Sequence, residues 1–174
     1  VDIQCSGDCG TLAGIAGLSY RVASSGDEAR IRHNPERSVL EDMDRLPFVT
    51  PVYRRDLTVE NYAIGYLRHP YVSLYTGRGC RSKCTFCLWP QTVGGQRYRT
   101  RSVDHVAEEM ALAQRLFPEV KEFFFDDDTF NIRKDRVLEL CRLFKPLGFR
   151  WSCTARVHSA CTTGIEAYIL GRPV

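Results

Sequence analysis

The sequence predicts an α/β fold made of the first three strands and two helices of a TIM-like (β/α) barrel, preceded by a short hairpin and a linker. Apolar runs that suit buried strands alternate along the chain with segments in which apolar residues recur at helical spacing. The chain has 174 residues, whereas a complete barrel usually needs about 200 or more. We therefore expect a partial barrel in a truncated chain.

The part of the chain before the predicted barrel, residues 1–52, is expected to be a hairpin and a linker that end a preceding domain. Turn-rich residues 23–27 lie between two short strand patterns, which predicts a hairpin over residues 17–34. Residues 40–51 combine acidic side chains with a Leu-Pro-Phe sequence, which indicates a linker packed on a neighbour. The barrel is then expected over residues 53–174.

The predicted sheet comes from three segments with the composition of buried parallel strands: residues 71–75, 120–125 and 149–155. Three consecutive phenylalanines at 123–125 suit a strand that is covered on both faces. Apolar stripes predict helices from about 103 to 117 and from about 134 to 147. Ser102 suits the N-cap of the first helix, and Gly148 suits the C-cap of the second.

Composition excludes several classes of protein. A formal net charge of +3 with 26% charged residues is ordinary and does not indicate binding to nucleic acid. The eight cysteines are unevenly spaced and no secretory signal opens the sequence, so a disulfide framework is not expected. No apolar run has the length of a transmembrane helix. These observations predict a cytoplasmic protein, with peripheral membrane contact left open.

Three closely spaced cysteines, Cys80, Cys84 and Cys87, follow the first predicted strand. Thiolates are soft ligands for zinc or for iron–sulfur clusters. A structural zinc site needs a fourth ligand, and no second Cys-x-x-Cys or His pair follows at suitable spacing. Three ligands on a four-iron cluster would leave one iron open, as in a catalytic metal centre. A zinc knuckle and a redox Cys-x-x-Cys are the alternatives.

The Cys-x3-Cys-x2-Cys spacing, with Phe86 before the last cysteine, resembles the signature of the radical S-adenosylmethionine (SAM) superfamily. The resemblance implies that Cys80, Cys84 and Cys87 bind a 4Fe–4S cluster whose open iron holds the amino and carboxylate groups of SAM. It also implies reductive cleavage of SAM to a 5′-deoxyadenosyl radical, with Phe86 near the adenine. A reductase, flavodoxin or ferredoxin would supply the electron.

Three aspartates, Asp126, Asp127 and Asp128, follow the second predicted strand at its carboxyl end, where barrel enzymes place their chemistry. Magnesium binding and helix capping are alternatives for these carboxylates. The segment resembles the cobalamin-type branch of the superfamily, which implies that Asp127 or Asp128 contacts the SAM amino group. Arg156 follows the third strand and is a candidate to pair with the SAM carboxylate; a structural salt bridge is the alternative.

The loop at 84–95, with residues 98–102 after it, further resembles the radical SAM proteins associated with hopanoid biosynthesis. This resemblance implies that the enzyme acts on the polar side chain of a hopanoid lipid, and so that its substrate is lipid-derived or another small molecule. Cobalamin is expected only in a full-length parent, because the Asp-x-His-x-x-Gly motif that would bind it is absent from these 174 residues. The alternative hypotheses are a tRNA methylthiotransferase-like enzyme, a non-catalytic zinc module, and an inactive truncated product.

Overall fold

The fold is known from a computed structural model that describes residues 10–22, 30–88 and 97–156. The predicted hairpin turn at 23–27, most of the irregular loop after Cys87 and the predicted break after Ser159 lie outside these residues. Within them, no helix is both long enough and apolar enough to cross a membrane.

The chain divides into two compact units, Val1–Leu40 and Glu41–Val174. The first contains a short helix and two strands: α1 (Gly10–Ala13), β1 (Ser19–Val22) and β2 (Arg30–His33). The two strands pair antiparallel, with Ser19 opposite His33 and Val22 opposite Arg30. This pairing confirms the predicted hairpin.

The second unit alternates strands with helices. Its elements are α2 (Thr50–Asp56), β3 (Tyr71–Leu74), β4 (Gly77–Arg78), β5 (Arg99–Thr100), α3 (Val103–Leu116), β6 (Glu122–Phe125), α4 (Lys134–Phe144) and β7 (Trp151–Cys153). Strands β3, β6 and β7 form a parallel sheet with β6 in the centre, and β4 pairs antiparallel with β5. Short 3₁₀ turns lie at Met43–Arg45, Val59–Asn61, Phe130–Ile132 and Lys145–Leu147.

The predicted helices and strands of this unit are confirmed. The Ser102 hydroxyl accepts a hydrogen bond from the His105 backbone N–H and so caps α3. Gly148 ends the second helical segment with a positive φ of 68°, a conformation that favours glycine. The described residues contain a three-stranded parallel sheet and no closed barrel, so the partial barrel stays a prediction.

The hydrophobic core lies between one face of the sheet and the helices α3 and α4. Its central side chain is Phe125, which is fully buried and stacks on Phe130 and Phe144 with ring centroids 5.4 Å from each. The core also takes Val72 and Leu74 from β3, and the apolar stripes of both helices. Because the strands are parallel, their carboxyl ends meet at one edge of the sheet, where the polar residues gather.

Residues 41–51 of the predicted linker belong to the second unit and contain the start of a helix. Helix α2 begins at Thr50, and the compact units divide after Leu40 rather than after residue 52. Glu109 of α3 is 1% exposed, and its carboxylate accepts hydrogen bonds from the backbone N–H groups of Val49 and Thr50. This contact fixes the linker to the helix and satisfies two donors at the start of α2.

Thr50 gives the first testable prediction. Its side chain is fully buried, and its hydroxyl has no hydrogen-bond partner among the residues described. Replacing Thr50 with Val keeps the shape and removes an unsatisfied polar group, so the free energy of unfolding should rise by about 1 kcal/mol. Urea denaturation measures the change.

The matched control for this prediction is Thr58→Val, at an exposed threonine. We expect this variant to stay within about 0.5 kcal/mol of the wild type. A loss of stability in Thr50→Val would mean that the buried hydroxyl has a partner and would contradict the prediction.

Candidate functional site at the carboxyl ends of the strands

The cysteine loop begins directly after β3 and needs glycine at two positions. A Cβ at Gly77 would lie 2.9 Å from both the Arg99 carbonyl oxygen and the Tyr98 hydroxyl, which leaves no room for a side chain. Gly79 has a φ of 92°, in the left-handed region that side chains disfavour. The backbone path of this loop therefore requires glycine at both positions.

Asp127 is the residue that ties the start of the loop to β6. One carboxylate oxygen accepts from the Thr76 backbone N–H at 2.6 Å, and the other accepts from the Thr76 hydroxyl at 2.6 Å and from the Tyr98 hydroxyl at 3.3 Å. The side chain is 1% exposed. This geometry gives Asp127 a structural role that differs from the predicted contact with SAM, because both of its oxygens are engaged inside the protein.

Arg136 binds the same residue as Asp127, namely Thr76. It lies on α4, is 4% exposed, and donates to the Thr76 carbonyl at 3.1 Å and to the Arg101 carbonyl at 3.2 Å. Burial raises the pKa of Asp127, although the hydrogen bonds from Thr76 and the charge of Arg136 oppose this rise. The carboxyl group of Asp127 and the guanidinium of Arg136 therefore both bind Thr76. Thr76 is itself fully buried and begins the cysteine loop.

The two residues after Asp127 contact the part of the loop that contains the first cysteine. Asp128, which is half-buried, accepts a hydrogen bond from the Gly79 backbone N–H at 2.6 Å. The Thr129 hydroxyl lies 3.7 Å from the Cys80 sulfur. Successive residues at the end of β6 thus contact successive residues of the loop just where the first cysteine occurs.

The end of β7 also reaches the cysteine loop. The Arg156 guanidinium hydrogen-bonds to the Ser82 hydroxyl. The Arg156 backbone is fixed by Asn131, whose side-chain amide donates to the Arg156 carbonyl and accepts from its N–H, each at 2.8 Å. Arg156 itself is exposed. Its guanidinium is therefore positioned beside the loop and accessible to a ligand.

The three cysteines of the motif are free and half-buried. The backbone turns between the last two, where the Cys87 N–H donates to the Cys84 carbonyl at 3.1 Å. Within the described ranges, no three or more His, Cys, Asp or Glu side chains are gathered as a metal-binding group. Phe86 is 90% exposed. The loop carries its three thiols at the edge where the strands end.

Cys80 lies beside polar side chains, including the Thr129 hydroxyl. Burial acts to raise the pKa of its thiol, but hydrogen bonds from Ser82 and Thr129 and the charge of Arg156 outweigh burial and lower it. In contrast, burial raises the pKa of Cys153, in β7, to about 12. A lowered pKa favours the thiolate, which is the form that binds metals.

Sequence reasoning missed several residues that build this site: Thr76, Tyr98, Thr129, Asn131 and Arg136. Only Arg136 left a signal in the sequence, since it is a charged residue within the apolar stripe of α4, four residues before Leu140. Arg136 can be buried among apolar residues because the acidic residue Asp127 lies near it, at the end of β6. The others are neutral polar residues of ordinary type, and only the fold brings them together.

Two curated proteins resemble the chain, and both are named as methyltransferases. An uncharacterised methyltransferase of Pyrococcus horikoshii is 31% identical over 150 residues, which cover 85% of this chain and 30% of the relative. The cytidylyl-2-hydroxyethylphosphonate methyltransferase of Streptomyces wedmorensis is 33% identical over 127 residues, covering 70% of this chain and 23% of the relative. The chain spans less than a third of the length of these relatives. No protein-family model matches it.

These relatives correct the resemblance to hopanoid-associated proteins. Neither relative has a name that refers to hopanoids, and both are named for methyl transfer. The prediction of that particular family was wrong because it depended on a single loop, most of which lies at 89–96, outside the described residues. The matched regions of the relatives cover most of the chain and so weigh more than one loop.

The buried carboxylate of Asp127 gives a prediction about pH. Its pKa is raised above the ordinary value of 3.8 by burial, so the folded chain binds this proton more tightly than the unfolded chain does. The contribution of Asp127 to the free energy of unfolding therefore falls as pH rises from 3.8 through the raised pKa. In Asp127→Asn this contribution is absent, so the stability of the variant relative to wild type should rise with pH, by up to about 1.4 kcal/mol per unit.

Urea denaturation at several pH values measures this difference. Thr58→Val, at an exposed threonine, removes no titratable group, so it is the control and should follow the wild-type pH dependence. An Asp127→Asn curve parallel to that of the wild type would show that Asp127 titrates as it does in the unfolded chain.

Proposed function

We propose that this chain is the cluster-binding part of a radical SAM enzyme whose parent protein transfers methyl groups. The observation that carries the proposal is the loop of three free thiols, Cys80, Cys84 and Cys87, held at the carboxyl ends of three parallel strands. The three-stranded sheet is, in this proposal, the first part of a (β/α) barrel. Barrel enzymes carry their active sites at that end of the strands.

The donor set fits a 4Fe–4S cluster better than a structural zinc ion. Three thiolates satisfy three irons and leave the fourth for a ligand, whereas structural zinc needs a fourth protein ligand. Among the described residues, the other free cysteines are Cys141, buried in α4, and Cys153, in β7. Cys141 lies in the hydrophobic core and Cys153 packs against that core, so neither belongs to the loop of three thiols.

The surrounding residues have distinct roles in this proposal. Asp127 and Arg136 hold the start of the loop, and Asp128 holds Gly79 beside the first ligand. Because Asp127 is buried, Asp126 and Asp128, which are both half-buried, are the carboxylates that remain near the surface for the SAM amino group. Arg156 is exposed beside the loop and matches the SAM carboxylate in charge and in its bidentate geometry.

The bound cluster would supply one electron to SAM, which would break its carbon–sulfur bond to give methionine and a 5′-deoxyadenosyl radical. The protein contributes position rather than acid–base chemistry. Arg156 and a nearby carboxylate would orient the two charged ends of the amino-acid group of SAM. Phe86, which is 90% exposed, would offer an aromatic surface for the adenine.

The proposed methyl transfer rests on the relatives. Both are named methyltransferases, and one is named for a cytidylyl-phosphonate substrate. SAM is a methyl donor as well as a radical source, so one cofactor serves both parts of the proposal. The methyl acceptor would bind residues of the parent beyond those that this chain supplies, since the chain covers 30% of one relative and 23% of the other.

Anaerobic reconstitution with iron and sulfide tests the cluster. We expect about four irons for each chain, as a 4Fe–4S cluster requires, with the broad visible absorbance of such a cluster. Cys84→Ala removes one of the three ligands and should lower iron content to background. Iron and sulfide analysis, together with the visible spectrum, measures both results.

The matched control is Cys141→Ala, which removes a free thiol from the hydrophobic core of α4. Its iron content should equal that of the wild type. Equal iron in Cys84→Ala and wild type would contradict the proposal, and so would stoichiometric zinc uptake by a protein that forms no cluster.

A further inference from the structure

We propose that Thr129 is a positioning residue that donates a hydrogen bond to the sulfur of Cys80 and thereby raises the reduction potential of the cluster. This inference rests on the proposed function, because it concerns the cluster that Cys80 would bind.

The position of the hydroxyl supports the first step. Thr129 Oγ1 lies 3.7 Å from Cys80 Sγ, within hydrogen-bonding distance for sulfur, and the threonine is 2% exposed. The same oxygen donates to the Asp128 carbonyl at 2.6 Å. The hydroxyl thus has two acceptors within reach and one hydrogen to share between them.

Metal binding changes how that hydrogen is shared. In the free protein, the Cys80 thiol can donate to Thr129 Oγ1 while the hydroxyl donates to the Asp128 carbonyl. A thiolate bound to iron has no hydrogen and can only accept. The hydroxyl must then rotate toward the sulfur for the contact to remain a hydrogen bond. Charge on the thiolate favours this rotation, since hydrogen bonds to charged acceptors are stronger.

The backbone around Thr129 is held in place from both sides. Asp128, the preceding residue, accepts from the Gly79 N–H at 2.6 Å, and Gly79 precedes Cys80 in the chain. The following residue, Phe130, donates its N–H to the Thr154 carbonyl at 2.9 Å. The distance between the Thr129 hydroxyl and the Cys80 sulfur is therefore set by two strand ends and does not depend on a free loop.

Burial makes the hydrogen bond significant for redox chemistry. Hydrogen bonds to cluster sulfurs stabilise the reduced form, which carries one more negative charge, and so raise the reduction potential. The effect is larger where water is excluded, because the local dielectric constant is low. Thr129 is buried, whereas Arg156, which reaches the same loop through Ser82, is exposed to solvent that screens its charge.

The experiment compares the reconstituted wild type with three variants. Thr129→Val removes the hydroxyl and keeps the shape, and Thr129→Ser keeps the hydroxyl. Thr50→Val removes a fully buried hydroxyl that belongs to a different part of the unit, at the start of α2. Potentiometric titration followed by electron paramagnetic resonance gives the midpoint potential of each cluster.

We expect the potential of Thr129→Val to become more negative, so that at a fixed potential the ratio of reduced to oxidised cluster falls by up to about tenfold, or about 59 mV for a one-electron couple. Thr129→Ser should lie near the wild type, and Thr50→Val should equal it. A potential unchanged by Thr129→Val would overturn the inference, while the cluster itself would still support the proposed function.

Failure of the cluster to form in the wild type would instead overturn the proposed function. If Thr129→Val does not take up iron, Thr129→Ala replaces it in the titration. Loss of iron in both, with normal loading of Thr129→Ser, would support a positioning role for the hydroxyl. Loss of iron in Thr129→Ser as well would overturn the inference, because shape rather than the hydroxyl would then be required.

Discussion

A buried carboxyl group at the end of the central strand and a buried guanidinium on α4, which both hold Thr76, are the constraint on which the site depends. Asp127 and Arg136 are 1% and 4% exposed, and both bind Thr76. Removing either side chain would leave buried polar groups of Thr76 without a partner, which costs roughly 1–3 kcal/mol for each group. The pair therefore fixes where the chain leaves β3. The positions of Gly77, Gly79 and Cys80, which follow Thr76 in the chain, depend on this anchor.

Strand β6 contributes both to the stability of the fold and to the support of the cysteine loop. The side of β6 that faces the helices buries Phe125 among other aromatic rings and provides stability. The end of the same strand is polar, and its residues Asp127, Asp128 and Thr129 contact Thr76, Gly79 and Cys80 in the same order along both segments. The apolar body of the sheet and helices thus carries the loop of thiols at its polar edge. Such support is what a metal site requires for fixed geometry.

The sequence predicted the strands, the helices and their caps because each depends on local pattern. The role of Asp127 was not predictable, since three adjacent aspartates look alike until the fold shows that one points into the protein. The burial of Glu109 was not predictable for a similar reason: the backbone N–H groups that it binds belong to Val49 and Thr50, about 60 residues earlier. The hopanoid prediction failed because one loop carried it. Local patterns predict elements well, whereas polar contacts between distant segments depend on the assembled fold.

The most direct test of this account is electron–nuclear double resonance on the reduced, reconstituted protein with SAM that carries ¹⁵N in its amino group or ¹⁷O in its carboxylate. The account predicts hyperfine coupling from both labels, because three cysteine ligands leave one iron open to the amino-acid group of SAM. A cluster whose spectrum shows no coupling to either label would contradict it. In that case the loop of three thiols would bind a cluster without the open site on which the proposed chemistry depends.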